Sequence, residues 1–228
     1  MQVIVLADGE VSTRAALDSA WPGWLELDAQ VVAADGGARH APSLGLAVDH
    51  WVGDGDSIDD ATLAALAGRG VRIERAPTDK DESDTELALF AALGLAPDSI
   101  VVLGALGGPR LDHALANLAL LTLPELDGVA VTLLGDARVR LLQAGDGASP
   151  TTEPVRLTLA GRSGDLVTLL PVGGDVQGVS TDGLRYPLSD EVLLLGRSRG
   201  LSNVRETTAA AVTIRRGRLL VIETPATL

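Results

Sequence analysis

The pattern of apolar runs changes character part-way along the chain, and that change constrains the fold more than any other feature. Up to about residue 135, short strand-like runs alternate with helical patterns. VIVLA (3–7), VVAAD (31–35), HWVGD (50–54), VRIER (71–75), SIVVLGA (99–105) and VAVTLLG (129–135) read as six strands. The stretch after Gly36-Gly37, then DATLAALAGR, TELALFAALGL and LDHALANLALL, carry apolar residues at helical spacing. Strands alternating with helices of about ten residues predict an α/β N-terminal domain, a mostly parallel sheet with helices on both faces. Beyond residue 150 the helical period vanishes. TEPVRLTLA, DLVTLLPV, VQGVSTDGLRY, EVLLLG and AAVTIRRGRLLVIET are β-branched runs broken by Gly, Pro, Asp and Asn. They predict an all-β C-terminal sandwich, with hairpin turns at Asp182-Gly183 and Arg216-Gly217. The polar stretch AGDGASPTTEP (144–154) is the expected boundary, giving domains at 1–145 and 152–228.

Charge follows the same division. Residues 1–149 hold 23 acids and 9 bases, whereas residues 150–228 hold 8 acids and 9 bases. A chain of net charge −13 lacks the basic surface that general nucleic-acid binding needs. With no cysteine, disulfides, thiol catalysis and cysteine-ligated zinc are excluded. The start MQVIVLADGE has no basic n-region, and no apolar run is long enough for a membrane span, so a cytoplasmic protein without membrane attachment is expected. Lysine occurs once against 17 arginines, and that Lys80 stands inside the acidic run DKDESD.

The polar clusters follow consecutive strands. In an open α/β sheet ligands bind beyond the carboxyl ends of the strands. Asp35-Gly36-Gly37, Gly53-Asp54-Gly55-Asp56-Ser57, Thr78 to Asp84 and Gly104 to His113 occupy four such ends. If extended, Asp54 and Asp56 point to one side, as paired hard ligands for Mg²⁺. Ser83-x-x-Glu86 is a capping box and Asp84 suits a helix N-terminus, which explains them structurally. Functionally, Asp84 completes a metal site with Asp54 and Asp56, and Lys80 offsets phosphate charge. The loop Gly107-Gly108-Pro109-Arg110 allows close backbone approach to phosphate, with Arg110 able to fork onto it. It matches neither the Rossmann nor the P-loop pattern. His113 and Asn117 share a helix face. Tyr186, the only tyrosine, and Ser202-Asn203 stand out in the β part as a platform for a flat heterocycle or as ordinary turn residues.

Taken together, these segments resemble the thiamine pyrophosphokinase (thiamine diphosphokinase) family. Its pattern runs DGG, GD-x-DS, T-D-K-D-x-[ST]-D, GG-x-R-x-DH with a following Asn, then G-L-x-[YW]-x-L and an SN pair. All six segments occur here in order, with Gly55 replacing the usual Phe between the two aspartates. The resemblance implies transfer of the diphosphoryl group of ATP to the hydroxyl of thiamine, giving thiamine diphosphate and AMP. It implies Mg²⁺ on Asp54, Asp56 and Asp84, with Lys80 and Arg110 acting on the transferred group. Asp35, Gly36, Gly107, Gly108, Arg110, Asp112, His113 and Asn117 would bind the nucleotide. Tyr186, Ser202 and Asn203 would cradle thiamine. It also implies a homodimer with thiamine at the subunit interface. Asp54, Asp81 and Asp84 all stand as acceptors for the hydroxyl proton. A kinase for another hydroxymethyl acceptor such as a pterin, a non-catalytic nucleotide-binding module, and a metal-dependent phosphatase are the competing expectations.

Overall fold

The computed structural model describes residues 1–145 and 153–226. The chain forms two compact units, Met1–Gly135 and Asp136–Leu228.

All six strands expected in the first unit are present: β1 (Gln2–Leu6), β2 (Gln30–Ala34), β3 (His50–Gly53), β4 (Arg72–Arg75), β5 (Ser99–Leu103) and β6 (Ala130–Leu134). They pair in parallel in the order β4-β3-β2-β1-β5-β6. The inner strands β1 and β3 are buried throughout, as QVIVL and HWVG require when both faces of a sheet are covered. Edge strand β4 reads RIER, and its exposed charges discourage further pairing. One face packs Ile4, Leu6, Val31, Ala33 and Trp51 against Leu17 of α1 (Arg14–Ala20), Leu44 of α2 (Ala41–Leu44), and Leu63 and Leu66 of α3 (Asp60–Gly68). The alternate residues Val3, Val5, Val32 and Val52 are also buried, on the other face. There α4 (Asp84–Leu93) crosses β1, β2 and β3, burying Ala88, Leu89 and Ala92. The capping box forms in part: the Glu86 N–H donates to Ser83 Oγ at 3.2 Å. Helix α5 (Leu111–Leu120) follows β5 and buries Asn117. The short α1, capped by Thr13, has no counterpart in the sequence reading.

The second unit begins earlier than the polar stretch at 144–154. Arg138–Ala144, assigned from sequence to the first domain, is strand β7 and pairs antiparallel with β13 (Arg216–Thr224). A boundary placed by polarity overlooks it because RVRLLQA mixes charge with apolar residues. The order is β7-β13-β9-β12-β8, all antiparallel, with β8 at Val155–Ala160, β9 at Leu166–Asp182 and β12 at Ala209–Ile214. Two short strands, β10 (Glu191–Leu193) and β11 (Asn203–Val204), also pair with β9. The two runs DLVTLLPV and VQGVSTD are thus one 17-residue strand. It serves two sheets, pairing first with β13 and at its end with β12. Gly173 and Gly178, at φ +72° and +68°, let it bend between them. Between the layers lie Leu142, Leu159, Val167, Leu169, Val212, Ile214, Leu219 and Val221.

Neither expected hairpin is a two-residue turn. Strands β12 and β13 pair with different stretches of β9 and not with each other, so Arg216 opens β13 beside a bulge at Gly217. After Asp182-Gly183 the chain runs through residue 190 before β10 returns along β9.

Glu223 is buried in this unit. It accepts from Arg138 at 2.8 and 2.9 Å, from Arg140 at 2.7 Å and from Arg205 at 2.7 Å. Arg205, also buried, donates to the Leu159 carbonyl at 2.8 Å.

Candidate active site

Strand order β4-β3-β2-β1-β5 means the chain reverses its direction of travel across the sheet between β1 and β5, where parallel sheets open a crevice. A cavity of about 460 Å³ lies there. Its walls come from the ends of five strands: Ala7 to Gly9 after β1, Asp35 after β2, Asp56-Ser57 after β3, Thr78, Lys80 and Glu82 to Thr85 after β4, and parts of the glycine loop and α5 after β5. Sequence reading found four of these ends. It missed Asp8-Gly9, although a polar-glycine pair after VIVLA is the same signal as at the other strands. Asp8 pairs with Arg39 on the 3-10 turn Asp35–His40.

Within the cavity the carboxylates form a tight group. Asp35, Asp54 and Asp84 each bring one oxygen within 4.8 Å of the others. This differs from the expected set of Asp54, Asp56 and Asp84. The loop after β3 is not extended: Gly55 takes φ +85° and the Asp56 N–H turns back to Asp54 Oδ1 at 3.1 Å. Strand alternation therefore does not align Asp54 with Asp56. The Asp56 carboxylate accepts from Ser57 Oγ at 2.9 Å and lines the cavity. Asp35, expected at the nucleotide, takes its place in the group.

Lys80 stands between two of these acids, its Nζ 2.8 Å from Asp54 Oδ2 and 3.2 Å from Asp84 Oδ1. The Lys80 hydrogen bond holds Asp54 below its ordinary pKa. Burial works against the charge on Lys80, but the bonds to Asp54 and Asp84 outweigh it and raise its pKa. Asp35 goes the other way. It is 2% exposed, and burial pushes its pKa up. The Ser57 N–H opposes this at 3.0 Å, and the Asp84 and Asp56 charges add to it. One ammonium thus serves two carboxylates, and Asp35 Oδ1 is left buried with no partner. An unpaired buried carboxylate oxygen is costly unless something else meets it. Three oxygens this close approach the separation of about 4 Å between opposite ligands on one Mg²⁺. The residues fit such an ion.

The remaining expected residues divide. Gly107, Gly108, Arg110, His113 and Asn117 line the cavity. The Asn117 side chain donates to the Ala105 carbonyl at 2.9 Å, fixing the glycine loop to α5. Asp112 lies outside the lining and forks onto Arg110 at 2.9 and 2.6 Å. That bond holds the Asp112 carboxyl far below the usual range. Gly36 is also outside the lining, and a Cβ there would fall 2.3 Å from Asp8 Oδ1. It permits close packing instead. Asp81 is exposed and does not line the cavity.

In the second unit Tyr186 is exposed, and so is Ser202, which takes φ +55° and donates its N–H to Thr168 Oγ1 at 3.0 Å. Asn203 is buried. It accepts the Tyr186 N–H at 3.0 Å and donates to the Tyr186 carbonyl at 2.7 Å. Its amide is occupied in holding the tyrosine backbone.

Known proteins agree with both units. The family profile described as "Thiamin pyrophosphokinase, catalytic domain" matches residues 24–133. That described as "Thiamin pyrophosphokinase, vitamin B1 binding domain" matches residues 154–219. The chain belongs to the thiamine pyrophosphokinase family. A thiamine pyrophosphokinase of Bacillus subtilis is 25% identical over 171 residues, 75% of each chain. The crystal structure of a thiamin pyrophosphokinase family protein from Enterococcus faecalis superposes with TM-score 0.77 at 26% identity, covering 98% of this chain and 99% of that one. That of a Bacillus subtilis thiamine pyrophosphokinase gives TM-score 0.81 at 21% identity over 99% of each chain, which establishes the shared fold. No helix among the described residues is long and apolar enough to cross a membrane.

Proposed function

We propose that this chain transfers the diphosphoryl group of ATP to the hydroxyl of thiamine, giving thiamine diphosphate and AMP. The observation that carries this reading is the meeting of Asp35, Asp54, Asp84 and Lys80 in a cavity at the reversal of strand order. The thiamine hydroxyl oxygen forms a bond to the β-phosphorus as the bond from that phosphorus to the α–β bridging oxygen breaks. The hydroxyl proton passes to a base and AMP leaves with the bridging oxygen. Phosphate charge repels an oxygen nucleophile, so catalysis rests on charge neutralisation and alignment.

Asp35, Asp54 and Asp84 would hold Mg²⁺, which supplies Lewis-acid stabilisation of phosphate charge when bound. Lys80 is already carried to the same place by its two carboxylate partners and would turn its ammonium to the transferred group. Arg110, at the mouth of the glycine loop, would exchange Asp112 for phosphate. Gly107 and Gly108 leave room for a phosphate against the loop backbone, Asn117 keeps that loop on α5, and His113 would face the nucleotide from the cavity wall. Tyr186 offers an exposed ring for the thiamine heterocycle, with Ser202 on the same unit. That unit's near-neutral charge suits a cationic acceptor. A cytoplasmic homodimer completes the reading, supported by exposed apolar Val192, Leu194, Leu195 and Leu201 in the second unit.

Incubation with ATP, Mg²⁺ and thiamine, followed by phosphorus NMR, tests it. AMP and thiamine diphosphate in equal amounts are expected. ADP with orthophosphate would make the protein a hydrolase, and AMP formed only with a hydroxymethyl-pterin would move it to another acceptor.

A further inference from the structure

Asp35 is fixed from three sides. Its backbone takes φ +42°, in the left-handed region that a residue with a side chain seldom adopts. Its Oδ2 accepts the Ser57 N–H at 3.0 Å. Its carbonyl accepts the indole N–H of Trp51 at 2.9 Å. Gly53 lies against the back of the side chain, where a Cβ would stand 2.7 Å from Asp35 Cβ. With those contacts made, Oδ1 alone is free.

Trp51 has 0% exposure and packs on the face of Ile4, Leu6 and Leu63. Any large hydrophobe could fill that space. What tryptophan adds is one buried N–H, which needs an acceptor. The acceptor here belongs to the one acid of the group whose backbone is strained. Such strain persists only where the surroundings enforce it. We propose that Trp51 is a positioning residue: its indole N–H locks the backbone of Asp35 so that the free carboxylate oxygen is presented to a divalent cation shared with Asp54 and Asp84. Trp51 itself touches neither metal nor substrate. The inference rests on the metal-site reading above.

The test uses the full chain and Mn²⁺ alone, with free Mn²⁺ read by electron paramagnetic resonance. Trp51→Phe keeps the bulk and removes the N–H. Its Mn²⁺ affinity is expected to fall by about 10-fold or more, the usual cost of losing a group that orients a ligand. In turnover, KM for Mg²⁺ should rise by a larger factor than kcat falls. Gly53→Ala displaces Asp35 from the opposite side and should weaken Mn²⁺ in the same way. A purely structural tryptophan would lower the melting temperature and leave the affinity of the folded protein untouched. Asp54→Asn serves as the control. If it loses Mn²⁺ while Trp51→Phe binds like wild type, the positioning role is overturned and the metal site stands. Wild-type affinity in Asp54→Asn would remove the metal site and this role with it. Should Trp51→Phe fail to fold, unchanged affinity in Gly53→Ala overturns the proposal.

Discussion

The two units each gather charge around a buried acid, and they do so with opposite balance. In the first, three carboxylates gather, two of them on one lysine, and an oxygen of the most buried acid has no partner. In the second, three arginines converge on the single carboxylate of Glu223 and occupy both of its oxygens. The arginine cluster has donors to spare, with Nε of Arg140 and Arg205 unpaired, but its acid is fully satisfied and its residues tie β7 and β13 to the loop before β12. The carboxylate cluster opens on a cavity and is short of positive charge. Neutralisation from within marks a group that holds the fold. Neutralisation left unfinished is what the proposed cation site requires.

That contrast can be broken at several points. The largest effect is expected at Glu223→Gln. Removing the one acid leaves three arginines facing each other in a buried site, which should destabilise the protein by about 3–5 kcal/mol in urea denaturation. A loss under 1 kcal/mol would mean the cluster is not the tie described. Asp84→Asn should behave in the reverse sense. It removes one of several repelling acids, so the melting temperature should hold or rise, while kcat falls by about 100-fold or more, as expected when a charge-organising group is lost. Stability loss with normal turnover would make Asp84 a mere helix-start residue. Asp56→Asn sharpens the boundary of the group. Because Asp56 lines the cavity outside the three-oxygen set, its kcat should drop by less than that of Asp84→Asn, on the order of 10-fold; equal losses would restore it to the metal.

The smallest effect concerns acid stability. His50 is buried, and burial, with the Arg72 charge, holds its pKa below the ordinary 6.5 despite Glu74 at 3.1 Å. The unfolded chain then binds the proton more readily. His50 supports the fold above about pH 6.5 and that support is lost as pH falls through its folded-state pKa. His50→Gln should flatten the loss of melting temperature below pH 6.5 relative to wild type. An identical slope would take His50 out of the acid response.

Much of this was legible in the residues, for reasons that differ between the units. Strands such as QVIVL and VVAA announce themselves because burial on both faces demands continuous apolar residues. DATLAALAG and TELALFAAL declare their period, and Ser83 and Asp59 mark where α4 and α3 start. The four polar strand ends followed from that alternation. Asp8-Gly9 carries the same polar-glycine signal, but only the order β4-β3-β2-β1-β5, a property of long-range pairing, shows that the end of β1 faces the cavity. Asp56, and not Asp35, was expected beside Asp54 because an extended loop would align them, a geometry that Gly55 breaks. In the second unit, β7 was missed because its arginines serve a buried glutamate 83 and 85 residues away. Such a partnership leaves no local trace. The hairpin at Arg216-Gly217 failed for the same reason: an Arg-Gly pair signals a turn, but only the sheet partners decide whether the two strands meet.

The central claim is that Asp35, Asp54 and Asp84 share one divalent cation. Crystals grown with Mn²⁺ and a non-hydrolysable ATP analogue, measured at the manganese absorption edge, test it most directly. One anomalous peak is expected at roughly 2 Å from an oxygen of each of the three acids. A peak bound by Asp56 in place of Asp35, or none in that cavity, would contradict the account.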